Sequence, residues 1–165
     1  MDIRPGFHFF SFMMIELIRT DASQADFLEL VAALDLDLAI RDGDDHGFFA
    51  PFNKIDSIRH VVLAYVEGAA VGCGAIKPYA EDVAEVKRMY TLPQFRGRGV
   101  ASQVLAELEA WASVLGFSHC MLETGEKQPE AIGLYRKCGY AIIPNYGQYI
   151  GVVGSVCFKK QLIST

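Results

Sequence analysis

The amino-acid sequence predicts an α/β fold of the α+β kind, and three observations carry that expectation. Three strand-like runs, HVVLAYVEG, AAVGCGAIKPY and VAEVKRMYTLP, follow one another with only turn signals between them, at Glu67-Gly68 and from Pro78 to Asp82. That is the pattern of successive antiparallel strands. Residues 100 to 115 then change period, with Val100, Ala101, Val104, Leu105, Leu108, Trp111, Ala112 and Leu115 recurring at three and four and Gly116 standing where a glycine closes a helix. Finally, 165 residues with 52% apolar content are enough to bury one core, so residues 14–165 are expected to form a single domain.

The remaining elements follow in chain order. Residues 1–13, MDIRPGFHFFSFM, are set apart as an N-terminal extension; their short apolar stretch lacks the small-residue cleavage pattern of a signal peptide. A cytoplasmic chain is expected, and strand-like alternation from Met14 leaves an upstream start as an alternative. Ile15 to Arg19 suit a strand. Asp21 or Ser23 can cap a helix that turns Phe27, Leu28, Leu30, Val31 and Leu34 inward. Residues 36 to 56 combine a short helical piece with glycine, proline, acids and three phenylalanines, which reads as an ordered loop. Beyond the long helix, SHCMLET reads as a buried strand and PEAIGLYRKCG as a short helix opened by Pro129 and closed by Gly139. YAIIP and IGVVGSVCFKKQL complete a count of about seven strands.

Composition removes several function classes. A formal charge of −5 and a pI near 5.3 supply no broad basic field for nucleic acid. No apolar run reaches the ~18 residues needed to span a bilayer, so no membrane partner is expected. Cys73, Cys120, Cys138 and Cys157 include no C-x-x-C pair, and no histidines stand at metal-ligand spacing. They are expected as buried reduced thiols, with neither a disulfide framework nor a metal.

The stretch QFRGRGVA, Gln94 to Ala101, lies where a strand gives way to the long helix. A helix N-terminus offers unpaired N–H groups and about half a positive charge, which stabilises an anion placed there. Gly97 and Gly99 would let phosphates approach the backbone, while Arg96 and Arg98 could add charge-assisted contacts. The corner is not a Walker loop, whose lysine and hydroxyl are absent, nor a Rossmann fingerprint, whose last glycine is replaced by Ser102. By itself it also fits a plain strand-to-helix turn.

In context, QFRGRG resembles the Q/R-x-x-G-x-G/A motif of the GNAT N-acetyltransferase superfamily. AEVKRMYTLP precedes it, and EAIGLYRKCGY downstream is similar to that superfamily's A-x-x-x-Y-x-K-x-G-[FY] segment. The resemblance spans residues 14 to 162 and is most specific from Ala84 to Tyr140. It implies a mixed, mostly antiparallel sheet of about seven strands with helices on both faces, and acetyl-CoA as acetyl donor. The pyrophosphate would rest on Gln94, Arg96, Gly97, Arg98, Gly99, Val100 and Ala101, with the backbone of Met89 and Thr91 pairing the pantetheine arm in the manner of an added strand. Tyr135 would stand near the thioester sulfur as general acid, and Glu85 would accept the amine proton through water. For Glu85 an ordinary surface pair with Lys87 or Arg88 is nearly as good a reading. Gln128 replaces the asparagine often found there, leaving its cofactor contact open, and Cys138 is assigned to packing.

Acceptor choice is expected to reside in residues 36 to 56 and in IPNYGQYIG, with Phe48, Phe49, Phe52, Asn53, Tyr146 and Tyr149 as walls and polar handles. Core packing explains about half of those aromatics equally well. Asp42, Asp44 and Asp45 would attract a cationic amine or simply solvate a loop. The activity implied is direct acetyl transfer to a primary amine of a small molecule, such as an amino acid or related metabolite. A protein lysine or N-terminal acetyltransferase and a non-catalytic acyl-CoA sensor are the alternatives, and a homodimer is left open.

Overall fold

The fold is that of a computed structural model, which describes residues 13–43 and 58–163. Seven strands form one sheet: β1 (Glu16–Thr20), β2 (His60–Val66), β3 (Ala69–Ala80), β4 (Val83–Thr91), β5 (His119–Gly125), β6 (Ala141–Ile143) and β7 (Ser155–Gln161). Their spatial order is β1-β2-β3-β4-β5-β7-β6, and every neighbouring pair is antiparallel except β4 with β5. The helices are α1 (Ala25–Asp42), α2 (Val100–Val114) and α3 (Pro129–Lys137).

Residues of β2 alternate between two cores, as the period of a strand demands: Val62 and Ala64 join α2 and α3 on one face, and Val61 and Leu63 join α1 on the other. The first core is built around Val100, Val104, Leu105 and Leu108 of α2 with Tyr135, Tyr140 and Phe158. The second sets Phe27, Leu30 and Val31 against Cys73 and Ala75. Both faces of the sheet are therefore covered, as expected for the fold class.

Several boundaries differ from the sequence reading, each for a local reason. Gln24, not Asp21 or Ser23, caps α1, its side chain accepting from Asp26 N at 2.5 Å, while Asp21 turns back to accept from Ser23 N at 2.8 Å. The helix then runs through the stretch expected as loop as far as Asp42, because Leu34 and Leu38 continue the buried stripe and Asp37 pairs with Arg41 one turn on. Leu28, expected inside, is exposed. The turn expected from Pro78 to Asp82 shrinks to Glu81-Asp82, since β3 carries Pro78 opposite Ala84 beside an irregularity in the ladder. The last strand begins only at Ser155, because Gly151 and Gly154 take left-handed φ values of 78° and 94° in the preceding turn. The hairpin at Glu67-Gly68 is as read, with φ of 49° and 80° matching a two-residue turn that needs both residues left-handed.

One irregularity positions everything that follows. Cys73 faces Tyr90 but Ala75 faces Lys87, so Gly74 opposes both Arg88 and Met89 and β4 bulges there, with Arg88 at φ 58°. A Cβ on Gly74 would lie 2.4 Å from Met89 Sδ and 2.8 Å from Leu108 Cδ1, so the glycine gives α2 and the bulge their close approach. Gly74→Val is expected to cost about 1–3 kcal/mol through overpacking, read as a lower midpoint in urea with an unchanged m-value.

Candidate active site

β4 and β5 pair only from Val83–Glu85 to His119–Met121. Past that point β4 continues along β3 and β5 along β7, so the two strands part and leave a fork in the sheet. A cavity of about 110 Å³ fills the fork, walled by Val86 to Met89 of β4, Glu123 to Gly125 of β5, Leu34 and Leu38 of α1, and Tyr149. A larger groove of about 340 Å³ runs from there past Tyr90 and Thr91 to the start of α2, between α1 and α3. The two spaces share Leu34, Met89, Gln128, Ala131 and Tyr135.

The far end of the groove is the glycine corner. Gly97 and Gly99 have φ of 75° and 84°, which favour glycine, and a Cβ on Gly97 would meet nothing within 4 Å. α2 has no side-chain cap, and its first backbone bond runs from Gln103 N to Gly99 O at 3.1 Å. The amides of Val100, Ala101 and Ser102 precede that bond at the positive end of a 15-residue helix. A diphosphate-bearing ligand fits such a corner by the chemistry of its donors. Met89, Thr91, Arg96, Gly97, Gly99, Val100, Ala101, Gln128 and Tyr135 all line the groove, whereas Gln94 and Arg98 do not. Arg96 is engaged in the loop itself: its Nε donates to Thr91 O at 2.9 Å, and Nη2 lies 3.7 Å from Asp37. Thr91 Oγ1 is buried and has no hydrogen-bond partner among the described residues.

Glu85 lies beneath the fork at 3% exposure and lines neither space. It is thus not the exposed surface partner of Lys87 or Arg88. Tyr146 donates its hydroxyl hydrogen to Glu85 Oε2 at 2.6 Å, and Lys87 Nζ stands 3.8 Å from Oε1 and donates to Tyr149 Oη at 3.3 Å. Burial pushes the Tyr146 and Tyr149 phenols up, with the Glu85 charge adding to the rise, so both stay neutral donors or acceptors. Burial lowers Lys87, against a smaller opposing pull from Glu85. Tyr135 is buried at the junction of cavity and groove, edge-on to Tyr140 with centroids 5.8 Å apart, and burial raises its phenol too.

Of the residues proposed from the sequence for the acceptor, Tyr149 walls the smaller cavity, while Tyr146 sits behind it against Glu85. Phe48, Phe49, Phe52 and Asn53 lie outside the described residues. The sequence reading missed Lys87 and Arg88 as cavity walls, and α1 as the roof over both spaces. The period-two placement of Lys87 with Glu85 was the available signal. Cys138 is a free, half-buried thiol packed at the edge of the first core.

A strand fork beside a glycine-rich helix start defines a class, and the comparisons agree. The chain belongs to the acetyltransferase (GNAT) family, whose model matches residues 24–140. It is 40% identical over 89 residues to an IAA acetyltransferase of Azospirillum brasilense, covering 53% of this chain and 58% of the relative. Over 100 residues it is 39% identical to the uncharacterized N-acetyltransferase YjgM of Escherichia coli, covering 59% of this chain and 58% of that one. The matches thus span little more than half the length of these two relatives. A structure from Klebsiella pneumoniae, provisionally named an acyl-CoA N-acyltransferase, superposes with a TM-score of 0.77 at 32% identity over 91% of this chain and 99% of that one. A GNAT acetyltransferase of Elizabethkingia anophelis, solved with acetyl-CoA bound, shares the fold with a TM-score of 0.64 at 17% identity over 90% and 98% of the two chains. Among the described residues, no helix is long and apolar enough to cross a membrane, and no group of three or more His, Cys, Asp or Glu is placed to hold a metal ion.

Because burial lowers Lys87 below its ordinary value, the unfolded chain binds the proton more tightly than the folded one. Stability from this residue therefore rises as pH climbs through the window from the folded to the unfolded value; below that window the full penalty applies. Lys87→Met is expected to flatten the rise that lies below the ordinary lysine value of about 10.4, measured by urea unfolding at a series of pH values.

Proposed function

We propose that the protein is an acetyl-CoA-dependent N-acetyltransferase that acetylates a primary amine of a small molecule directly. The observation that supports this reading most is the meeting of two spaces at Tyr135 and Met89, one ending at an uncapped helix start with two left-handed glycines and the other backed by a buried carboxylate. Bound acetyl-CoA supplies an activated acetyl thioester. The amides of Gly97 to Ala101 hold its diphosphate, with the positive end of α2 favouring the charge. Met89 and Thr91 hold the pantetheine arm along the edge of β4 that β5 has left, and the buried Thr91 hydroxyl gains a partner there.

An ammonium acceptor must lose a proton before its nitrogen can attack, and Glu85 takes it, relayed by water or Lys87 because the carboxylate lies behind the cavity wall. Tyr146 holds that carboxylate in place through its hydroxyl. Tyr135, kept neutral by burial, gives its phenolic proton to the leaving sulfur and regains one from the nitrogen as the amide forms. The proton balance closes with one proton released for each acetyl group moved from thioester to ammonium.

Tyr135→Phe is expected to lower kcat by about 10²–10⁴-fold, the usual range for a lost general acid, with an unchanged Kd for acetyl-CoA by calorimetry. Gly97→Val should do the reverse, weakening acetyl-CoA binding first, since its side chain projects into open space at a left-handed φ. Glu85→Gln should lower kcat/KM by about 10²–10⁴-fold, the usual range for a lost general base; turnover equal to wild type assigns the proton to another acceptor.

A further inference from the structure

Arg88 has no part in the chemistry above, yet it is a buried cation at the site. A guanidinium is a cation that offers five N–H donors. Only Nη2 is used, donating to Asp35 Oδ1 at 2.6 Å and to Val31 O at 3.4 Å. Nε and Nη1 are buried and have no hydrogen-bond partner among the described residues, although the side chain is only 2% exposed. Asp35 is 52% exposed, so its charge is shared with water and counters the buried cation weakly. The residue also sits at φ 58°, a conformation that disfavours any side chain, at the bulge that turns it out of the regular alternation of β4. Strain and unmet donors of this kind persist where a ligand repays them.

What would repay them is set by the surroundings. Arg88 is part of the wall of the cavity in the fork, with Lys87 beside it and Glu123 across it on β5. A water molecule would meet two donors and leave the charge as it is. A carboxylate meets the donors and supplies the missing charge, and it is small enough for a space of about 110 Å³. Glu123, across the cavity, offers negative charge to the other end of the same molecule.

We infer that Arg88 forms a carboxylate subsite, and that the acceptor is an amine that also carries a carboxylate, an amino acid in class. The inference rests on the reading above that the smaller cavity takes the acceptor. In that arrangement Arg88 holds the acid end while the amine faces Tyr135 and the shared wall.

The test compares free amino acids with their amides and their decarboxylated amines as acceptors for the purified chain, following thiol release. The acid should exceed its amide in kcat/KM by on the order of 10- to 100-fold, the usual worth of a charge-assisted pair. Arg88→Gln should bring the two to near parity with acetyl-CoA affinity unchanged, and Arg88→Lys should keep part of the preference. Amides used as well as acids, or a preference that survives Arg88→Gln, would overturn the subsite, as would a loss of acetyl-CoA affinity in place of acid preference. Should Arg88→Gln fail to fold, wild type decides: carboxylic acids lacking the amine, such as 3-phenylpropionate, should raise its Tm and compete with the acceptor while the matching amides do neither. That binding arm is independent of turnover. No thiol release with any amine, beside acid-selective binding, would sink the acetyl-transfer reading and leave the subsite standing.

Discussion

Backbone pairing between β4 and β5 stops after three residues on each strand, and the site is a consequence of that stop. A parallel pair that ran its full length would close the sheet and leave no room between Val86–Met89 and Glu123–Gly125. The separation has a visible cause on each side. β4 stays with β3 through a bulge opposite Gly74, where only a glycine lets Met89 and Leu108 close in, while β5 follows β7 along seven residue pairs. Unpaired backbone is costly in a protein interior, so an edge exposed inside a cleft is a place that a ligand with amide groups can complete.

Charge in the fork is arranged with equal economy. Glu85, Lys87 and Arg88 come from four successive residues of one strand and are all buried or nearly so. Such groups gain little net stability from pairing, because the loss of hydration offsets most of the attraction. Here each is held by a partner from elsewhere in the chain: Glu85 by Tyr146, Lys87 by Tyr149 and Arg88 by Asp35. The outcome is a set of polar groups fixed before any ligand arrives, which lowers the reorganisation needed once one is bound.

Local signals carried most of the fold. The three-and-four recurrence of α2 and the glycines around it, the Glu67-Gly68 hairpin and the Pro129-to-Gly139 helix are all written in neighbouring residues, and each is where the spacing predicts it. The glycine corner was legible for the same reason. The fork was not, because it depends on where β5 leaves β4, and nothing within either strand marks the place. Tyr146 was read as a pocket wall, yet it lies 61 residues from the carboxylate it holds. Arg88 resembled one more strand cation until the bulge placed its guanidinium between β4 and α1. The extension of α1 was hidden by the acids of DLDLAIRD and by its exposed Leu36 and Ile40, since only Leu38 there continues the buried stripe from Leu34.

The short turn Gly147–Tyr149 and the residue before it touch both halves of the fork: Tyr146 grips the hidden carboxylate and Tyr149 walls the space above it. The two rings also meet edge to face, with centroids 5.5 Å apart, so neither shifts alone. Remodelling this segment to admit a differently shaped molecule would therefore disturb the acid behind it at the same stroke. Relatives that diverge in taste are expected to vary the roof contributed by α1 and to leave this tyrosine couple in place.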